Sequence, residues 1–256
     1  MNMNKKIAAV VLTAVLTAAA PAAALGASLQ LTDTVKTTVE KTAASADAAL
    51  KSRITSAYTE LGTLLSQETA LDNTIKGVHF ASEQALVAVR KEIKLIDANK
   101  VAELTSKVQM TKDKYKPLFV LYSSVSGTKK AGELKIAVQL AREDIRLKEK
   151  QLKAAKDEKA RKIKGVRSTL SAITGLKLQI KSAKGAADVP KKRLSAEWSD
   201  FKQLAKKGEA KRAADSLDNL VSLTRRILEQ KKGIHALENK ISGVIATAKQ
   251  QISAAK

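Results

Sequence analysis

Few side chains of this 256-residue chain have the type and spacing that catalysis or metal binding requires. The two histidines, His79 and His235, lack a carboxylate or a second histidine at the spacing of metal ligands, and no HExxH motif of zinc enzymes is present. The sequence contains no Cys, which excludes a disulfide, a thiolate metal site and a cysteine nucleophile. A glycine-rich phosphate loop and the GxSxG motif of hydrolases are also absent. We therefore predict no metal site, no cofactor and no catalytic residue.

Two pairs of adjacent carboxylates, Glu143–Asp144 and Asp157–Glu158, are the remaining candidates for general acid–base chemistry. Such chemistry needs a desolvated cleft that perturbs the pKa of the reacting group. Lys or Arg flanks both pairs, which favours ordinary surface ion pairs. We therefore predict that the protein is not an enzyme.

Positive charge is the strongest chemical signal in the sequence, with a formal net charge of +22. Residues 28–126 contain 13 Lys/Arg and 11 Asp/Glu, a net of +2, whereas residues 127–256 contain 32 and 14, a net of +18. Like charges in such excess repel one another, so an anionic partner would stabilise them. A solvated lysine face is the alternative interpretation of any single cluster. The residues that we predict to bind a polyanion are Arg146, Lys148, Lys150, Lys153, Lys156, Arg161, Lys162, Lys164, Lys191, Lys192, Arg193, Lys206, Lys207, Lys211 and Arg212.

The first 27 residues have the organisation of an export signal. Lys5 and Lys6 precede an apolar run at residues 7–20, and Pro21 and small residues follow. The run has 14 residues, fewer than the roughly 20 that a membrane-spanning helix needs. We expect cleavage between Ala24 and Ala27 and a secreted or cell-wall-associated chain without a lipid or membrane anchor.

Export narrows the choice of polyanion. Nucleic acid is not expected, because the chain is predicted to leave the cell and only 3% of its residues are aromatic, too few for base stacking. The absence of Cys fits a Gram-positive exterior, where teichoic-type phosphate polymers, acidic polysaccharides and anionic head groups are the available polyanions. Lysine outnumbers arginine, which favours diffuse attraction over bidentate recognition. Trp198 shares a helical face with Leu194 and Phe201, so we interpret it as a packing residue.

The helices that the apolar spacing predicts determine where these charges lie. Apolar residues recur in steps of three and four over residues 35–78, although Glu68 interrupts the row, and again over residues 86–108. Two later rows repeat every seven residues, from Val138 to Ile180 with only Lys159 polar, and from Leu220 to Ala248. No segment shows strand-like alternation. These patterns predict an all-α fold, an elongated antiparallel helical bundle or coiled coil.

Helix-breaking residues predict the boundaries. We expect a kink or turn near residues 72–79, a helix end or bend near Pro117, and a loop at residues 122–132. A long helix should cover about residues 133–184, a loop residues 185–189, a short helix residues 190–206 and a last helix residues 209–254. The chain then divides into the export signal (1–27), a near-neutral helical part (28–126) and a strongly basic helical part (127–256).

Three stretches carry a resemblance to known proteins. They are KIAVQLAREDIRLKEKQLKAAK at residues 135–156, its continuation KIKGVRSTLSAITGLKLQIK at residues 162–181, and residues 216–252, which contain LVSLTRRILEQKKGIHALENKISGVI. Together with the export signal, they resemble exported Lys/Ala-rich coiled-coil proteins of Gram-positive spore-formers, a group that implies no activity. The segment GEAKRAADSLDNL at residues 208–220 is similar to helical segments with which S-layer proteins hold wall polymers.

These observations lead to one main hypothesis and two alternatives. The main hypothesis is a secreted, nonenzymatic helical protein whose lysine-rich surface binds an anionic cell-envelope polymer, while the near-neutral part contacts a second copy or another helical protein. The alternatives are an envelope chaperone of the holdase type and a structural subunit of a surface or spore assembly.

Overall fold

A computed structural model describes residue 29 and residues 31–255. Within them the chain is helical without strands, and five helices follow one another: α1 (Asp33–Ala44), α2 (Ala48–Ile93), α3 (Ala98–Ser124), α4 (Lys129–Lys206) and α5 (Ala210–Ala254). This confirms the predicted all-α helical bundle. The predicted export signal lies outside the described residues. None of the described helices is both long and apolar enough to cross a bilayer.

Local signals account for where the helices begin and end. The Asp47 carboxylate accepts a hydrogen bond from the Leu50 amide at 2.8 Å and caps α2. Gly208 adopts a left-handed φ of 72° between α4 and α5, and the Glu209 amide donates to the Leu204 carbonyl at 3.1 Å. This is the hydrogen-bond pattern of a glycine-terminated helix, and it reverses the chain direction. The predicted loop at residues 122–132 is shorter in the structure, because α3 ends at Ser124 and α4 begins at Lys129.

The rod is built from four helices at one end, three in the middle and two at the other end. One hydrophobic cluster combines all of α1, the first half of α2, the last turns of α4 and the first half of α5. A second cluster joins the second half of α2, the middle of α4 and the second half of α5. Beyond it α3 packs mainly on the first half of α4, and we call residues 98–160 the hairpin. The parts 28–126 and 127–256 therefore contribute to the same cores.

The predicted heptad rows form the seams of this rod. Leu220, Ile227, Ile234, Ile241 and Ala248 of α5 are all buried. On α4 the row from Val138 to Ile180 is buried at its first position and at its last three positions, whereas the intervening positions are partly exposed. The α5 row is the more complete because α5 packs extensively against both α2 and α4, while α3 packs mainly against α4.

At three predicted breaks the helix continues, so the predicted loop at residues 185–189 is wrong, as are a turn near residues 72–79 and a helix end near Pro117. Helix α2 runs unbroken through residues 72–79, α3 continues seven residues past Pro117, and α4 continues through residues 185–189 and Pro190, which abolishes the predicted separate helix at residues 190–206. A proline inside a helix costs about 3 kcal/mol or more. Buried Ala187 and Leu194 on either side of Pro190 hold α4 in place, so packing outweighs this local cost.

One break was not predicted. Between α2 and α3 Asp97 adopts a left-handed φ of 47°, which Asp tolerates better than most residues. Its carboxylate lies 2.8 Å from Nζ of Lys162 on α4. The break therefore coincides with a contact to a helix far away in sequence.

Candidate polyanion-binding surface

Helix α4 carries most of the excess charge of the protein. Over its 78 residues, about 117 Å at 1.5 Å per residue, it contains 22 Lys/Arg and 9 Asp/Glu. By contrast, α2 contains five of each. Because the apolar row of α4 faces its neighbours, most of the lysines between these positions face solvent.

The first cluster of predicted residues forms a line along the outer face of α4. Arg146, Lys150, Lys153, Arg161 and Lys164 are all exposed and succeed one another in steps of 4, 3, 8 and 3, with Asp157 at the missing place. These steps keep one helix face. The line extends from residue 146 to residue 164, a rise of about 27 Å along the helix axis. We call these five residues the α4 cationic stripe.

The other members of that cluster lie elsewhere. Lys156 is exposed at the flank of the stripe, and Lys148 is partly buried. Lys162 links α4 to other parts of the chain. Its Nζ donates hydrogen bonds to Asp97 Oδ2 at 2.8 Å and to the Ala255 carbonyl at 3.1 Å. The hydrogen bond to Asp97 raises the pKa of Lys162. We conclude that Lys162 serves the fold and is not available to a ligand.

The second and third clusters lie near the four-helix end. Lys191 is partly buried and Lys192 and Arg193 are exposed on α4. Lys206 and Lys207 come just before the turn at Gly208, and Lys211 and Arg212 come just after it. All four side chains are exposed. Arg212 pairs with Glu209 at 2.5 Å.

Most of the predicted cations have no acidic partner in the part of the chain that the structure describes. Of the fifteen, only Lys162 and Arg212 form an ion pair with a described residue. Acidic residues of the first part, Glu60, Glu68, Asp72 and Glu83, pair instead with Arg225, Lys231 and Lys177. Thirteen predicted cations are therefore left for solvent or a ligand.

Two further arginines, Arg225 and Arg226, which the sequence alone did not indicate, belong to this surface. A groove of about 430 Å³ between α4 and α5 is lined by Arg193, Arg225 and Arg226. The Arg225 guanidinium also contacts Glu60 of α2. Arg193 precedes Gly208 by 15 residues and Arg226 follows it by 18. An antiparallel pairing of α4 and α5 about the turn at Gly208 therefore predicts that the two arginines lie close together.

Contacts between α3 and α4 fix the hairpin that presents the stripe. Lys100 donates to Glu158 at 3.1 Å, Lys112 pairs with Glu149 at 2.6 Å, and Tyr115 donates to Asp144 at 3.2 Å. Hydrogen bonds from Lys100 and Lys162 lower the pKa of Glu158. Glu158 and Asp144, considered above as acid–base candidates, thus have structural partners.

The remaining chemical candidates are dispersed. His79 Nδ1 lies 3.0 Å from Oε1 of buried Glu238, and His235 is next to Asn239 at 3.3 Å. In the described part of the chain no three His, Cys, Asp or Glu residues come together as metal ligands would. The buried Trp198 stacks on Phe201 with 5.4 Å between ring centroids, which confirms its interpretation as a packing residue.

Comparison with known proteins finds no relative of this chain. No family model matches the chain, and neither a curated protein nor a solved structure resembles it significantly.

Proposed function

We propose that this chain is a secreted, nonenzymatic helical protein that binds an anionic cell-envelope polymer, of teichoic type or an acidic polysaccharide, through the lysine-rich outer surface of α4 and the start of α5. The observation that carries the proposal is that thirteen of the fifteen predicted cations have no acidic partner among the described residues, while Glu60, Glu68, Asp72 and Glu83 of the first part pair elsewhere. The charge of these thirteen cations therefore has no counterpart among the described residues.

The shape of the surface supports a linear ligand. The α4 cationic stripe is straight over about 27 Å, because it follows one face of a continuous helix. A polymer with regularly repeated negative charges can contact several of these side chains at once. Lysine ammonium groups are hydrated point charges on flexible stems, so the expected contact is electrostatic and tolerant of register.

Retention on purified Gram-positive cell walls across a salt series tests this proposal. Binding through many lysines should weaken steeply as salt rises, because salt screens the charges. The informative variant replaces Lys150, Lys153, Arg161 and Lys164 by Gln. The matched control replaces Lys36, Lys51, Lys76 and Lys91 by Gln, which removes the same charge from exposed positions of the first part.

The stripe variant should lose most of its retention at low salt, and the control should keep most of it. Retention that is insensitive to salt, absence of retention at low salt, or equal loss in both variants would contradict the proposal.

A chaperone of the holdase type is the second candidate, and one observation favours it. On the outer face of α4 in the hairpin, Ile136, Leu140 and Leu147 are exposed by 71%, 65% and 54%. Met110 of α3 is also largely exposed. Apolar side chains next to cations could hold unfolded acidic chains. Suppression of client aggregation without cell walls tests this role, and replacing Ile136, Leu140 and Leu147 by Ser should abolish it while leaving wall retention unchanged.

A further inference from the structure

The hairpin carries an apolar groove between its two helices, at the level of Phe119. Two adjoining depressions of about 700 Å³ and about 610 Å³ share Phe119 and Ser123 of α3 and Ile145 of α4, and together they form this groove. Phe119 and Ile145 are only partly buried, and Val120 at the edge is 62% exposed. Covering these side chains with another apolar surface would remove them from water and would be favourable.

The burial of α3 differs from that of the helices in the rest of the rod. Of the 27 residues that the structure describes in α3, only Val108 is buried, whereas 16 of the 45 residues of α5 are buried. The reason is that α5 packs against both α2 and α4, while α3 packs mainly on α4. A helix with one main neighbour leaves part of its apolar surface for a further helix to cover.

Cations border the groove on both helices. Lys116 lines it on α3, and Arg142 and Arg146 line it on α4. All three side chains are exposed, and none forms an ion pair with a described residue. An acidic group placed at either border would therefore meet a cation that no other acid of the described chain neutralises.

The two acids that line the groove already have partners. Glu149 of α4 pairs with Lys112 of α3 at 2.6 Å. Asp113 accepts a hydrogen bond from the side-chain amide of Gln109 at 3.0 Å. The unbalanced charge around the apolar floor is therefore positive.

Helix α2 shows how a third helix covers a pair of helices with cations at its borders. Its apolar residues Leu86 and Val89 are buried in the cluster that it forms with α4 and α5. Its acidic side chains pair with cations of those two helices, namely Glu60 with Arg225, Glu68 and Asp72 with Lys231, and Glu83 with Lys177. An apolar row accompanied by acids is thus the pattern that fits such a pair.

We infer that the groove of the hairpin docks an acidic amphipathic helix of a partner protein. Apolar side chains of this helix pack on Phe119 and Ile145, and its Glu or Asp side chains face the three border cations, in the helix-in-groove mode of recognition. The groove extends over residues 112–124 of α3, a rise of about 18 Å, which about four turns of a partner helix cover.

Charge decides between this partner and a second copy of the chain. Two hairpins docked groove to groove would bring the same cations face to face, and like-charge repulsion opposes that arrangement. Except for Arg146, no residue of the groove belongs to the α4 cationic stripe. Docking of the helix and binding of the polymer can therefore be tested separately.

Fluorescence anisotropy of a labelled peptide, titrated with the full chain, tests the inference. The probe is a synthetic helical peptide of about 18 residues with Leu in steps of three and four and Glu beside this row. One control peptide has Lys in place of Glu, and the other has Ser in place of Leu. At about 0.15 M salt, which screens charges beyond about 8 Å, we expect saturable binding of the probe and at least tenfold weaker binding of each control.

The variant Lys116→Gln/Arg142→Gln should bind the probe at least tenfold more weakly with an unchanged circular dichroism spectrum. The control Lys130→Gln/Lys135→Gln removes the same charge from exposed positions of the hairpin that do not line the groove and are not among the fifteen predicted cations, and it should bind normally. Val120→Ser changes an apolar side chain that is already exposed, so it should preserve the fold and weaken binding at least threefold.

No saturable binding, equal binding of the probe and either control peptide, or equal loss in the groove and control variants would overturn the inference. Sedimentation of the chain without peptide tests the second copy, because a dimer that Val120→Ser dissociates would assign the groove to self-association instead. The stripe variant used for wall retention contains no groove residue and should bind the probe normally. A loss of probe binding in that variant equal to the loss in the groove variant would also overturn the inference.

Discussion

The ammonium of Lys231 on α5 lies 2.6 Å from Oε1 of Glu68 on α2. The same ammonium lies 2.6 Å from a carboxylate oxygen of Asp72, one turn further along α2, and only 4% of the Lys231 side chain is exposed. Glu68 is the residue that interrupts the apolar row of the first part. Glu68 therefore stands in the apolar row where it pairs with a buried ammonium group on α5, more than 150 residues away in the sequence.

Removing this cation should destabilise the bundle strongly. Lys231→Met leaves Glu68 and Asp72 without a partner near the core, and breaking a buried ion pair on one side costs about 3–5 kcal/mol. Urea unfolding followed by circular dichroism measures the loss. Lys232→Met, at an exposed position that pairs with Glu229, is the control and should change the unfolding free energy by less than about 0.5 kcal/mol. Equal changes in the unfolding free energy of the two variants would contradict a stabilising role for the buried ion pairs of Lys231.

Stability should fall at acidic pH through carboxylates such as Glu83. A hydrogen bond from Lys177 at 2.6 Å lowers the pKa of Glu83 below its ordinary value of 4.5. A carboxyl with a lower pKa in the folded state stabilises the fold above the unfolded pKa, and this contribution disappears as pH falls through the folded value. The melting temperature should therefore decrease as pH falls below about 4.5.

The substitution Glu83→Gln removes this one carboxyl and should flatten the acidic part of the profile of melting temperature against pH. Glu133→Gln, at an exposed position without an ion pair to a described residue, serves as the control. A steeper acidic decline in the Glu83 variant than in the unaltered chain would contradict the prediction.

The heptad seam of α4 should tolerate truncation poorly. Ile173 is 5% exposed and packs in the cluster of α2, α4 and α5. Ile173→Ala should cost about 2–5 kcal/mol through lost burial and a residual cavity. Leu178→Ala, on the same helix but with 64% of the residue exposed, should change stability by about 0.5 kcal/mol or less. Thermal unfolding of the two variants compares a seam position with a surface position directly.

Two glycines should respond to alanine with opposite signs. Gly208 has a φ of 72°, which an L side chain adopts only with strain, so Gly208→Ala should lose about 1–2 kcal/mol. Gly185 is exposed inside α4, and a Cβ built there meets no atom within 4 Å. Gly185→Ala should gain about 0.5–1 kcal/mol, because alanine favours a helix interior. A stabilised Gly208 variant would contradict the assignment of the α4–α5 turn.

Several features of the protein could be predicted because they depend on neighbours along the chain. Helical periodicity marks the buried row Leu220 to Ala248, and the glycine at 208 marks the turn before α5. The position of the unbalanced charge in residues 127–256 can be counted from the sequence. These properties need no knowledge of which helices touch.

The errors come from local signals that packing overrides. Pro190 and Gly185 suggested a loop, yet the long contact of α4 with α5 keeps the helix continuous across both. Asp97 gave no recognisable break signal, because its left-handed backbone is held by Lys162 of a distant helix. A local preference of about 1–3 kcal/mol is smaller than the packing energy of a whole helix face.

The sequence by itself determined the all-helical composition, the seam positions of α5 and the cationic character of α4. Only the tertiary structure decided that Glu68 faces Lys231, that Arg226 lies beside Arg193, and that α1 meets Trp198 around a cavity. The physical reason is that periodicity and charge are properties of consecutive residues. Ion pairs and cavities, in contrast, depend on which helices are adjacent and in what register they pack.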